Sequence, residues 1–217
     1  MQKLQIPSDF EIGFKDLVGI EESCFIEIES YIAKTPLGIS PSNFILGLIE
    51  VNTSRISTNL ANVIYSFGEL LSKKYTSSIT ELAVELTNAY KKNAPTVNEK
   101  LLEERLIRIF SVSENLILSS KAIELLKEND NVYIDSRIIT DIRLVFNNEL
   151  TSKDKCALII HNLRLNYLAS GGEKEFYLSL DRTDLQKLKE TIERAIKKEQ
   201  HIIEDNLGKF KFIHIDE

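Results

Sequence analysis

The chain has 217 residues, 43% of them hydrophobic and 28% charged, with a formal net charge of −6. This is the profile of a globular protein of one or two domains, and neither half carries the basic surface that neutralises nucleic-acid phosphates. No apolar run approaches the ~18 residues of a membrane span, and the opening MQKLQIPSDF has no signal-peptide core. The expectations are therefore a cytoplasmic protein with no membrane insertion and no nucleic-acid partner, its Cys24 and Cys156 reduced.

In chain order, Phe10, Ile12, Phe14, Leu17 and Ile20 lie among Pro and Gly and read as a lead-in segment or a short helix. Phe25, Ile28 and Ile32 predict a helix over 21–34, ended by Pro36 and Gly38. Ser40-Pro41 is a new start signal, with Pro at the first helical position before Phe44, Ile45, Leu48 and Ile49. A long helix is predicted over 54–74, where Ile56, Leu60, Val63, Phe67 and Leu70 alternate spacings of four and three, a seam suited to bundle packing. Ser77 or Ser78 caps the next helix, which carries Leu82, Leu86 and Tyr90 and breaks at Ala94-Pro95. Thr96 with Glu99, and Ser111 with Glu114, have capping-box spacing ahead of two further helices. The polar stretch at 128–131 separates a helical domain, 1–130, from a second domain, 131–217.

The second domain alternates with period two. In RIITDIRLVF, over 137–146, Ile138, Ile142, Leu144 and Phe146 share a face with Thr140, and Asp141 and Arg143 lie on the other. A second strand is predicted over 156–168, with Ile159, His161, Leu163, Leu165 and Tyr167 on one side and Asn162, Arg164 and Asn166 on the other. Ser170-Gly171-Gly172 turns the chain into a third, antiparallel strand over 174–180. Asp181 then stands at a helix N-cap, with Asp184 three residues on. Leu185, Leu188, Ile192, Ala195, Ile196 and Ile203 form one apolar stripe of a helix running to about Glu204, with Glu190/Arg194 and Glu193/Lys197 placed as i,i+4 pairs. KFKFIHI, over 209–215, alternates again and reads as a fourth strand or a tail that pairs with a neighbouring chain. The whole is α+β: an N-terminal all-α bundle of about six helices, then a small antiparallel β-meander covered by one long helix.

Little in this pattern carries chemistry. There is no P-loop and no GxGxxG, and Gly171-Gly172 joins two strands rather than cradling a phosphate. His161, His201 and His214 fall in no metal-binding motif, no CxxC is present, and Cys156 and His161 lie on opposite strand faces. No catalytic, cofactor-binding or metal residue is assigned, and no cofactor is expected. Asp141 and Arg143 are placed for a cross-strand ion pair with Arg164; with Tyr177 they form the candidate interaction face.

RIITDIRLVF and EKEFYLSLDRTDLQKLKETIERA, within a layout of helical N-terminal half and strand meander ending in a long helix, resemble the COMM-domain proteins. The likeness covers about Ile134 to Ile202. It implies a module that dimerises by interlocking and complexes that act as trafficking scaffolds. A thin sheet with open edges points the same way, since edges are ordinarily paired or covered. The expectation is a non-enzymatic scaffold or interaction protein, a homodimer through its C-terminal module. The alternative is an enzyme or small-ligand binder with a site between the two halves.

Overall fold

A computed structural model describes residues 5–73, 78–128, 131–146 and 156–215. It is α+β, and it divides into two compact units, Met1–Leu125 with Ile213–Glu217, and Leu126–Phe212.

The first unit holds helices α1 (Glu11–Gly19), α2 (Glu22–Lys34), α3 (Pro41–Val51), α4 (Thr58–Lys73), α5 (Ile79–Lys91) and α6 (Glu99–Ser111), and most of α7 (Glu114–Lys127). The lead-in segment is thus a helix, preceded by a 3-10 turn at Ser8–Phe10. The apolar positions of every helix meet in one core, in which Phe14, Phe25, Phe44 and Phe67 are fully buried among Leu17, Ile28, Leu48, Leu60, Ile64, Leu82 and Leu102. Phe67 makes edge-on contacts with Phe14 and Phe110, and Tyr90 stacks on Phe14. Such pairs add roughly 0.5–1.5 kcal/mol each beyond their buried area.

Two helix starts differ from the sequence expectation, each for a local reason. α4 begins at Thr58, not near Ser54, because the chain first turns through Asn52, whose carbonyl accepts from Arg55 and Ile56. Ser57 then takes the capping role: its hydroxyl accepts from the Leu60 N–H and donates to Asp16 of α1 at 2.5 Å. Asn98, not Thr96, caps α6, its side chain accepting from the Leu101 N–H. Ser111 belongs to the last turn of α6, where its hydroxyl donates back to the Ile107 carbonyl, so it does not open α7. Elsewhere the caps stand as read: Ser40 accepts from Asn43 N–H ahead of Pro41, and Ser78 with Glu81 closes a capping box.

α1 and α4 approach closely at Gly13, where a Cβ would overlap the Asn59 carbonyl oxygen and a Val63 methyl. Backbone cannot yield as a side-chain tip can, so Gly13→Ala is expected to cost about 1–3 kcal/mol, the usual range for overpacking. A lowered urea midpoint with an unchanged slope checks this.

The second unit holds β1 (Asn131–Val145), β2 (Cys156–Ala169), β3 (Gly172–Leu180) and α8 (Arg182–Asp205). The strands form one antiparallel sheet in the order β1-β2-β3, closed at the β2–β3 turn by positive-φ Gly171 and Gly172. Asp181 and Asp184 make a reciprocal capping box at the start of α8. The Asp184 N–H, donating to the Asp181 carboxylate, holds that group below the usual range.

Both the sheet and α8 stay largely exposed in the single chain. No residue of α8 is buried, and among the described residues of the sheet only Leu163 is. Lys209–Ile215 form no strand; Ile213 and His214 lie against Gly38 of the helical unit.

Candidate interaction surface

Strand register sorts the sheet into two unlike faces. β1 pairs with β2 through Ile138↔Leu163, Thr140↔His161 and Ile142↔Ile159. β2 pairs with β3 through Leu163↔Leu178, Leu165↔Phe176 and His161↔Leu180. Because strand side chains alternate, these residues share one face. A bulge at Ile134, between the pairs Tyr133↔Tyr167 and Asp135↔Asn166, brings Tyr133 onto the same face. β1 thus starts at Asn131, ahead of the Arg137 expected from the alternation, and the run Val132-Tyr133-Ile134 is the sequence signal for this extension.

This face is apolar and open. Ile142 is 71% exposed and Phe176 50%, and Tyr133, Ile138, Leu144, Phe146, Ile159 and Leu178 are exposed as well. Tyr133, Leu165, Tyr167 and Phe176 also line a shallow hollow of about 360 Å³ at one end. Tyr133, Phe146 and Phe176 are thus surface residues in this chain. The stripe of α8 is equally uncovered, with Ile192 52% exposed and Leu188, Ile196 and Ile202 also open. The α8 carboxylates take partners one turn earlier than expected: Gln186 donates to Glu190, and Lys189 pairs with Glu193 at 3.7 Å.

The opposite face carries Asp141, Arg143, Arg164 and Tyr177. The expected ion pair between Arg164 and Asp141 does not form. Arg164 stands opposite Arg137 and is bracketed by Asp135 at 3.0 Å and Glu175 at 3.1 Å. Two guanidiniums directly opposite would repel, and the flanking carboxylates offset this. Asp141, opposite Ile160, accepts from the Asn162 amide instead. The Tyr177 hydroxyl donates to Glu175 at 2.5 Å, a bond to the neutral phenol that pushes its pKa up. Among the described residues Arg137 and Arg143, both exposed, have no carboxylate partner.

The histidines fall in separate settings. His161 Nδ1 lies 2.9 Å from the Thr140 hydroxyl, His201 is 3.9 Å from Glu204 on α8, and His214 follows Ile213 in the tail. Cys24 is buried and Cys156 exposed, both as free thiols. Among the described residues no three His, Cys, Asp or Glu side chains gather as a metal site, and no helix is long and apolar enough to cross a membrane. No protein-family model matches the chain, and no curated protein shows significant similarity to it.

Proposed function

We propose that the protein is a non-enzymatic interaction protein that dimerises through its strand–helix unit and presents the charged sheet face to a further partner, as a scaffold does. The observation that carries this reading is the open apolar face of the sheet, together with an α8 stripe that is itself exposed. The exposed parts of its eight large side chains come to roughly 800 Å², about one side of a standard interface and more than a typical monomer leaves uncovered. A second copy is the simplest occupant, because the face is nearly free of charge and meets itself without conflict. The resemblance to COMM-domain proteins supports the same reading, since that family's module dimerises by interlocking. The charged face, with Arg137 and Arg143 open and Asp141, Arg164 and Tyr177 in polar contacts, suits an acidic protein partner. Sedimentation equilibrium of the full chain at pH 8 is expected to give a dimer at micromolar concentration. A monomer at 100 μM would overturn the reading.

A further inference from the structure

In the middle of the apolar sheet face stands one polar pair. His161 occupies the central strand, flanked along it by Ile159 and Leu163, with Thr140 on one side and Leu180 on the other. Its Nδ1 is held by the Thr140 hydroxyl at 2.9 Å, so its position on the face is fixed. Beyond Thr140 and Leu180, the next side chains on this face are Ile138 and Ile142 of β1 and Leu178 of β3, none of which can titrate. The other ionisable groups of this face, Lys174, Tyr133 and Tyr167, lie toward its far end, where Lys174 pairs with Tyr167. Asp181 follows Leu180, but its carboxylate is engaged in the cap of α8. Asp141, Arg143 and Arg164 lie on the opposite face, and the stripe residues Leu185, Leu188, Ile192 and Ile196 carry no charge.

We propose that this Thr140–His161 pair makes self-association pH-sensitive, the dimer being stable with neutral imidazoles and weakening as they take up protons. The inference rests on the proposed dimer, in which an apolar cover closes over His161. An apolar cover disfavours the imidazolium, and no carboxylate is at hand to offset the cost. Histidine is the side chain whose charge ordinarily changes between pH 5 and 8. A group disfavoured in its charged form on burial contributes association that is complete at higher pH and lost as pH falls. The sign is diagnostic. The whole chain carries net charge −6 and has a pI near 5.3, so lowering the pH relieves overall repulsion and by itself strengthens association. Weakening runs against that trend and needs a specific group.

The test is the dimer dissociation constant of the full chain at pH 8.0 and 5.5, at fixed salt. The wild type is expected to weaken at least tenfold at pH 5.5. His161→Gln, neutral and able to keep a hydrogen bond to Thr140, is expected to lose this response, and His201→Gln to retain it. Circular dichroism at both pH values checks that each variant is folded. A wild-type constant that does not rise at pH 5.5 overturns the inference and leaves the dimer standing, as does a response that persists in folded His161→Gln. A wild type monomeric at pH 8.0 removes the dimer and this inference together.

Discussion

Ile142→Asp combined with Phe176→Asp is expected to turn the dimer into a monomer, raising the dissociation constant at least a hundredfold while leaving each chain folded. Both residues are at least half exposed in the single chain, and substitutions at such positions ordinarily change stability by no more than about 0.5 kcal/mol. The same two carboxylates closed into an apolar interface, unpaired, cost several kcal/mol each. The contrast makes the experiment sharp: a large effect on association with none on the monomer's unfolding can arise only from a surface that a partner covers. Arg143→Ala, on the opposite face, is expected to leave the dimer intact and to weaken only binding of an acidic partner. A double variant that still dimerises at wild-type concentrations would show that this face is not the contact.

Arg105→Met is expected to destabilise the helical unit by about 3 kcal/mol, the range for removing one member of a buried polar set. Arg105 of α6 is 3% exposed, and its Nη1 donates to the carbonyls of Leu17 and Val18 at 2.6 and 3.2 Å. Those carbonyls end α1 and have no helical partner. The guanidinium also lies over the Phe25 ring, 4.9 Å from its centre, beside that of Arg108 at 4.6 Å. Arg108 in turn pairs with Glu22 and Glu29, both at 2.6 Å, and its hydrogen bond holds the Glu22 carboxyl below the usual range. Methionine keeps the apolar stem and loses every donor, so the end of α1 is left buried and unsatisfied. Chemical denaturation followed by circular dichroism checks the loss. An unchanged midpoint would mean that water replaces the guanidinium without cost.

Apolar periodicity carried most of the architecture. Ile138, Ile142 and Leu144 alternate against Asp141 and Arg143 because a strand has two faces, and that pattern marks β1 wherever the rest of the chain goes. What depends on distant groups was not legible. Ser54 and Ser57 are equally good caps in isolation, and Asp16 of α1, 41 residues from Ser57, accompanies the choice. Arg105 falls beside Leu102 and Leu106 and reads as a solvated helix residue until the end of α1 is packed against it. Arg164 has acidic candidates along the whole of β1, and only the register after the Ile134 bulge selects Asp135 over Asp141. That α8 stays exposed was not legible for a different reason. An amphipathic stripe specifies that a helix will be covered, not by which chain.

The seat of the tail on the helical unit has a consequence in time. At Gly38, where φ is +94° and a Cβ would overlap the His214 carbonyl, the turn between α2 and α3 is shaped to receive a segment from the far end of the chain. The turn is already braced by α7, through the Gly38 N–H to Ser119 at 2.8 Å and Asn115 to the Thr35 carbonyl at 2.9 Å. During synthesis all seven helices of this unit emerge before residue 128, and Ile213 follows only after the whole sheet and α8. At ribosomal speeds of 5–20 residues per second that interval is roughly 4 to 17 s. Were the bundle to assemble before its last segment is made, the place beside Gly38 would stand unfilled for that interval.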